Sequence, residues 1–136
     1  MPDITVAVTR VGDTTTSRAQ IRTHAVAIDR PEAKGGGDQG PMGGELLLAS
    51  LGGCFMSNLI AALQARELPA DRLTATVTGT LDGQPARFQQ LVMEVSADGL
   101  SPEELTKAVT IAERGCIVAN TLKPVLPVTI RTSERS

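Results

Sequence analysis

The sequence contains no tryptophan and no tyrosine, and only two phenylalanines and a single histidine stand among its 136 residues. Without aromatic bulk the interior must be filled by leucine, valine, isoleucine and alanine, so we expect an aliphatic core. The formal net charge is −2 at pH 7, and the chain lacks the positive excess typical of proteins that bind nucleic acid or anionic membranes. We therefore expect neither nucleic acid nor a membrane among its partners.

A secretory signal is also lacking, because residues 1–4 (MPDI) show no basic segment followed by an apolar run. We expect a cytoplasmic protein, in which its two cysteines are catalytic, redox-active or buried rather than a structural disulfide. The length predicts one domain over residues 1–136, since a chain of this size buries a core without disulfides or metals.

The longest stretch without a charge runs over residues 46–63. Its length approaches the roughly 20 apolar residues that span a bilayer. Ser50, Ser57 and Asn58 interrupt it, and the chain has no tryptophan or tyrosine to anchor it at a membrane interface. We interpret it as the central helix of a soluble core, buried on all sides, with Cys54 at its midpoint.

Alternating apolar and polar residues predict strands on both sides of this helix. Residues 4–11 and 19–29 form one predicted hairpin, and residues 71–81 and 87–97 form a second one around an Asp-Gly turn. The threonine-rich face of residues 71–81 is β-branched and typical of an exposed strand face.

A second helix has a strong start signal. Ser101 is followed by Pro and, three residues on, by Glu104, which predicts a capping box. The helix is expected over residues 105–114, with an apolar stripe that continues to Cys116, and residues 125–132 are expected to form the last strand before a short tail. The order β-β-α-β-β-α-β, with hairpins separated by helices, predicts an α+β fold.

The loop between the first hairpin and the central helix is rich in glycine. Its segment GGGDQG at residues 35–40 formally matches a dinucleotide-binding fingerprint, which would suggest a nucleotide-binding oxidoreductase. That fingerprint requires a helix that starts within the glycines of a βαβ unit. Here PMGG intervenes at residues 41–44 and the neighbours are hairpins, so we interpret the match as accidental. A long loop leading into a central helix is more typical of a functional segment.

His24 is the single histidine, and it lies in a predicted strand. Cys54 and Cys116 are far from His24 and from each other along the chain, so the three residues do not have the spacing of zinc ligands. We expect no metal and no bound cofactor, and we interpret His24 as a structural or surface residue.

Cys54 and Cys116 are the remaining candidates for chemistry. Most free cysteines are small buried hydrophobic residues, which is one interpretation of this pair. Each follows a glycine and falls on the core-facing side of an apolar predicted helix, so the sulfurs meet if the two helices pack together. Cysteines that meet in a reducing compartment suggest thiol–disulfide chemistry. The residues alone leave both interpretations open.

A reactive Cys54 needs a lowered pKa. Because it lies mid-helix, the dipole of its own helix cannot supply this, and a cation is required, for which Arg22, Arg30 and Lys34 are nearest in sequence. Glu45 is the nearest carboxylate able to hold an arginine. On a continuous helix it faces away from Cys54, so Glu45 reaches the thiol only if the helix starts late or across a dimer interface.

Five segments resemble the OsmC/Ohr family of thiol-dependent peroxide-resistance proteins, and they are DRPEAKGG at 29–36, GP at 40–41, ELLLASLGGC at 45–54, SPEEL at 101–105 and AERGC at 112–116. The resemblance implies an intertwined homodimer with two central helices against antiparallel sheets and active sites at the subunit interface. It also implies reduction of organic hydroperoxides, with Cys54 as the peroxidatic thiol that becomes a sulfenic acid. Cys116 then resolves it as an intrachain disulfide, which an external dithiol reduces.

Two positions depart from the pattern of the family. Gly44 stands where those members have a carboxylate, and Ile117 stands where the family often has proline. The family's thiolate-activating arginine comes from the N-terminal strands, and Arg30 is our preferred match among the candidates Arg10, Arg18, Arg22 and Arg30. The pattern is closer to the OsmC-like branch, in which the alternative is a non-catalytic dimeric stress or small-ligand-binding protein with unreactive thiols.

Overall fold

The computed structural model describes residues 1–69 and 71–133, and the predicted tail at 134–136 lies outside them. The chain forms two compact units, Met1–Leu47 and Leu48–Ser136. The expectation of one domain over residues 1–136 stays a prediction.

The first unit contains a three-stranded antiparallel sheet in the order β1-β2-β3. Its strands are β1 (Ala7–Arg10), β2 (Ser17–Ile21) and β3 (His24–Ile28). The single strand predicted over residues 19–29 is therefore two strands, and the chain reverses between them at Arg22, whose φ is 54°. The sequence gives no warning of this reversal, because two-residue hairpin turns are usually marked by glycine or asparagine.

The second unit holds a three-stranded sheet, β4-β5-β6, and most of the helical structure. Its elements are α1 (Gly43–Ala65, which begins in the first unit), β4 (Asp71–Asp82), β5 (Arg87–Asp98), α2 (Pro102–Arg114), α3 (Ile117–Leu122) and β6 (Val128–Thr132). The α+β fold class and the two long helices are as predicted. The sheets are not antiparallel throughout, because β6 pairs parallel to β5. Parallel pairing needs a long crossover, which α2 and α3 provide.

The capping box of α2 forms as predicted. The Ser101 hydroxyl accepts from the Glu104 backbone N–H (3.1 Å), and the Glu104 carboxylate accepts from the Ser101 N–H (2.9 Å). Helix α2 therefore begins at Pro102, directly after the predicted Ser101 cap and three residues before the predicted range of 105–114.

The core of the second unit is mainly aliphatic, as expected. Helix α1 contributes a buried stripe at four-residue spacing, and β5 contributes alternate residues from its inner face. The fully buried members of these two elements are Leu51, Phe55, Leu59, Leu63, Leu91, Met93 and Val95. Phe55 is the one aromatic side chain in this set and lies on the same helix as Cys54.

Helix α1 is long and apolar enough to cross a membrane by length and composition alone, a test that a core helix also passes. Only 22% of an apolar 18-residue stretch of this helix is buried inside the single chain. Leu47 and Ile60 are each 36% exposed. Within one chain α1 therefore buries a single face, against the sheet of the second unit and α2, and burial of its other faces between subunits stays a prediction.

Candidate active site

Cys54 lies in the middle of α1 and is half-buried, whereas Cys116 is fully buried. Both are free thiols. Cys116 does not lie on α2 as predicted from the apolar stripe. The helix ends at Arg114, and Cys116 is the N-cap residue of α3. Gly115 permits this break, since glycine lowers the stability of a continuing helix.

The structure brings the side chains of the two cysteines close together, and the Cys116 thiol, as a hydrogen-bond donor, lowers the pKa of Cys54. The Cys54 sulfur also accepts hydrogen bonds from the backbone N–H groups of Ile117 and Val118. These are the first two residues of α3, whose N–H groups have no acceptor inside the helix. The half-buried sulfur is therefore surrounded by donors from the turn that follows α2.

These donors set the ionisation of Cys54. Burial alone raises the pKa of the thiol, but the Val118 N–H, the Cys116 side chain and the Ile117 N–H outweigh it and lower the pKa below its ordinary value. Hydrogen bonds to the charged form of an acid favour that form. A lowered pKa increases the thiolate fraction at neutral pH, and the thiolate is the nucleophile.

The pKa of Cys116 moves in the opposite direction. Burial raises it most, and the hydrogen bond and negative charge of Cys54 raise it further, against the lowering effect of the Ala119 and Val118 N–H groups. Cys116 therefore keeps its proton and donates it in a hydrogen bond to the Cys54 thiolate. The pair is polarised, with one thiol that ionises readily and a neighbour that stays protonated.

Two asparagines fix the turn that carries Cys116. Asn58, one helical turn after Cys54 on α1, donates from Nδ2 to the Ala112 carbonyl (3.2 Å). Asn120 on α3 donates from Nδ2 to the Arg114 carbonyl (3.0 Å). Both acceptors lie in the last turn of α2, where carbonyls lack partners within the helix. A Cβ at Gly115 would lie 3.4 Å from Asn58 Nδ2, so the turn packs closely on this side chain.

An apolar hollow of about 410 Å³ lies between α1 and β4, lined by Leu48, Ala49, Gly52, Gly53, Met56, Ala75 and Val77, and Cys54 is not among its lining residues. A Cβ at Gly52 would meet the Val77 side chain at 3.2 Å, whereas Gly53 has open space around it. Of the two glycines, Gly52 is therefore the one at which β4 approaches α1 closely. Next to Cys116 in sequence, Ile117 is 68% exposed.

Glu45 lies in the first turn of α1, and its Oε1 accepts from the Met42 backbone N–H (2.8 Å). It therefore caps the helix at its N-terminus, a position favourable for a carboxylate. Because α1 begins at Gly43, the helix does not start late, and an approach of Glu45 to Cys54 by that route is excluded. Its role at the thiol remains a prediction that requires a second subunit.

Arg30 follows β3 in the first unit and is exposed. Among the described residues the ion pairs are Arg72–Asp98, Lys123–Glu113 and Arg131–Glu94. Neither Arg30 nor Glu45 takes part in them. The part of Arg30 in activating Cys54 stays a prediction, as does the choice among Arg10, Arg18, Arg22 and Arg30.

No group of three or more His, Cys, Asp or Glu side chains within residues 1–69 and 71–133 is placed to hold a metal. His24 is exposed at the start of β3.

Sequence reasoning missed the source of the donors around Cys54. It considered only the dipole of the helix on which Cys54 lies and then required a cation. The donors come instead from a different helix, the six-residue α3. The available signal was Gly115 before Cys116, which favours a helix end at that point and a new start after it.

The sequence matches the family model described as "OsmC-like protein" over residues 35–131. No curated protein sequence matches it significantly.

Solved structures share its fold over nearly the whole length of both chains. A hypothetical protein from Aquifex aeolicus has a TM-score of 0.83 at 17% identity, covering 99% of this chain and 98% of its own. The OsmC-like protein of Mycoplasma pneumoniae has a TM-score of 0.81 at 18% identity, covering 99% of both. The organic hydroperoxide resistance protein OsmC of Legionella pneumophila has a TM-score of 0.74 at 16% identity, covering 98% and 99%. At these identities the likeness establishes the fold alone.

Proposed function

The chain belongs to the OsmC-like protein family, and we propose that it is a thiol-dependent peroxidase that reduces organic hydroperoxides. The observation that carries the proposal is the proximity of Cys54 and Cys116, whose side chains act on each other so that the pKa of Cys54 is lowered and the pKa of Cys116 is raised. A solved structure of the same fold, from Legionella pneumophila, is named as an organic hydroperoxide resistance protein, and the proposal agrees with that name.

In the first step the Cys54 thiolate attacks one oxygen of the hydroperoxide. The O–O bond breaks, the alkoxide leaves and takes up a proton to become an alcohol, and Cys54 becomes a sulfenic acid. The N–H groups of Ile117 and Val118 hold the thiolate before attack. The role of Cys116 at this stage is to donate a hydrogen bond while remaining neutral.

In the second step the Cys116 sulfur attacks the sulfur of the Cys54 sulfenic acid. A disulfide forms, and the hydroxyl group leaves as water with the proton from Cys116. An external dithiol then reduces the disulfide to two thiols and is itself oxidised to a disulfide. The cycle uses no metal or organic cofactor, and the neighbouring positions of the two cysteines support an intrachain bond.

The surroundings of the pair favour an alkyl hydroperoxide over hydrogen peroxide. Exposed Ile117, next to Cys116, offers an apolar contact that an alkyl chain gains and hydrogen peroxide does not. Such an activity fits a role in defence against oxidative or osmotic stress.

A homodimer is part of the proposal. The face of α1 that a single chain leaves unburied includes Leu47 and Ile60, and it is suited to burial against a second copy. Burial between subunits also offers Glu45 and Arg30 a route to the thiol of the partner subunit. Sedimentation equilibrium tests this directly, and a monomer at micromolar concentration would contradict it.

The activity is tested by the consumption of tert-butyl hydroperoxide in the presence of dithiothreitol. We expect turnover by the wild type, none by Cys54→Ser, and by Cys116→Ser only a slow reaction that depends on direct reduction of the sulfenic acid. Ser57→Ala is the matched control, because Ser57 is exposed and its hydroxyl bonds only the Gly53 carbonyl of the same helix. An absence of consumption by the wild type would favour the non-catalytic stress or ligand-binding protein instead.

A further inference from the structure

The loop after β3 is folded around a buried carboxylate. Asp29 is 3% exposed, and it accepts hydrogen bonds from the hydroxyls of Thr15 and Thr16 (both 2.8 Å) and from the N–H groups of Arg30 (2.7 Å) and Gln39 (3.2 Å). Both carboxylate oxygens are therefore occupied by two donors each. Asp29 ties the start of the loop, its end and the β1–β2 connection together.

Two glycines let the loop close on itself. A Cβ at Gly36 would lie 2.0 Å from the Arg30 carbonyl oxygen, and one at Gly40 would lie 2.3 Å from the Ala27 carbonyl oxygen, so neither position admits a side chain without displacing backbone. The Asp38 N–H donates to the Arg30 carbonyl (3.0 Å). The backbone of Arg30 is thus held from several directions, which fixes where its side chain begins.

The closed loop forms one wall of a cavity of about 830 Å³ that lies within the first unit. Three cations line it, Arg10, Arg30 and Lys34. The Arg10 side chain is oriented by its Nε bond to the Thr14 carbonyl (2.9 Å). None of the three cations is part of an ion pair among the described residues. Asp29 is the one acidic lining residue and offsets only one of the three positive charges, so the lining has an excess of positive charge.

We propose that this cavity binds a small organic anion through an oxyanion head group, a carboxylate or a phosphate ester. Two guanidinium groups offer the planar forks that match such head groups, and an ammonium adds charge. The volume falls in the range of small-molecule sites and exceeds the space that an inorganic ion needs. Ile28 and Met42 also line the cavity and give an apolar portion of the ligand a surface to contact.

The site does not depend on the peroxidase reaction, and its test is designed to keep the two apart. Full-length protein carrying Cys54→Ser has no peroxidatic thiolate to compete for Arg30, and it binds the anion whether or not the wild type is an enzyme. Isothermal titration calorimetry with hexanoate, hexyl phosphate and inorganic phosphate identifies the head group. 1-Hexanol, which has the same alkyl chain without charge, measures apolar contact alone.

We expect hexanoate or hexyl phosphate to bind more tightly than inorganic phosphate and 1-hexanol, with an affinity that falls as sodium chloride is added. In the same background, Lys34→Gln and Arg10→Gln should each weaken binding by about fivefold, the upper range for an exposed charge pair. Arg87→Gln, which removes an exposed arginine at the start of β5, is the matched control and should bind normally. Equal thermal unfolding midpoints establish that the variants are folded. Failure of both organic anions to bind, binding of 1-hexanol with the same affinity, or equal loss in Arg87→Gln would each overturn the proposal.

Discussion

Replacement of Asn58 by alanine tests how the turn at Cys116 is held. The Asn58 side chain donates to the Ala112 carbonyl at 3.2 Å, and Ala112 is only 1% exposed. A hydrogen bond of this kind contributes about 1 kcal/mol net to stability, and a buried carbonyl that has neither water nor a protein donor costs about 1–3 kcal/mol. We therefore expect Asn58→Ala to lower the free energy of unfolding by about 1–2 kcal/mol.

For a chain of this length such a loss corresponds to a decrease of roughly 3–8 °C in the unfolding midpoint. A second readout distinguishes positioning from simple loss of stability. When the turn is less restrained, the Ile117 and Val118 N–H groups hold the Cys54 sulfur less well, so the pKa of Cys54 should rise toward its ordinary value. The rate of alkylation by iodoacetamide, measured against pH, reports this change as a midpoint that moves to higher pH.

Two further variants complete the experiment. Asn58→Asp keeps the size of the side chain but removes the donor. It should lower the free energy of unfolding and raise the alkylation midpoint at least as much as Asn58→Ala does. Ser57→Ala lies next to Asn58 and changes only a bond within α1, so it should leave both readouts unchanged. If Asn58→Ala unfolds at the same temperature as Ser57→Ala and has the wild-type alkylation profile, the reasoning about this turn is refuted.

Three other perturbations follow from the structure. Cys116→Ala removes the thiol that donates to Cys54, so the pKa of Cys54 should rise and its alkylation midpoint should move to higher pH; an unmoved midpoint would rule out this donor. Gly79→Val should lower the free energy of unfolding, measured by urea denaturation, by about 1–3 kcal/mol through overpacking, because a Cβ there would lie 2.7 Å from the Phe88 ring. Gly43→Ala is the control, since that position has open space around it. Equal stability of the two variants would contradict the close packing of Phe88 on Gly79. The hydrogen bonds to Asp29 outweigh its burial and hold its pKa below the usual range, so its stabilising effect is complete above the unfolded value of about 3.9 and is lost as the pH falls below it. Asp29→Asn should remove the contribution of Asp29 to the loss of stability at acid pH. An unchanged dependence of the unfolding free energy on pH would contradict a lowered pKa of Asp29.

The elements that the sequence predicted well are those whose signals are local. The capping box of Ser101 and Glu104 lies within one helical turn, and the hairpin of β4 and β5 is marked by alternation and an Asp-Gly turn. The sequence also suggested that the two cysteines lie close together, because each follows a glycine on the core-facing side of a predicted helix. This expectation depended on the two helices packing against each other.

The features that were missed depend on tertiary contacts. The parallel pairing of β6 with β5 depends on where the α2–α3 crossover delivers the chain, and no local pattern records it. The activation of Cys54 by N–H groups of α3 arises between residues more than sixty positions apart. Amino-acid composition could not predict the one-sided burial of α1 within a single chain. An apolar helix has the same sequence whether its other face contacts its own chain or a partner.

The most direct test of the central claim is a single oxidation of the reduced wild-type protein. One equivalent of tert-butyl hydroperoxide is added without any dithiol, and the protein is digested under non-reducing conditions and analysed by mass spectrometry. The account predicts a peptide pair joined by a disulfide between Cys54 and Cys116, with loss of both free thiols and release of tert-butanol. Two thiols that remain free after exposure to the hydroperoxide would contradict it.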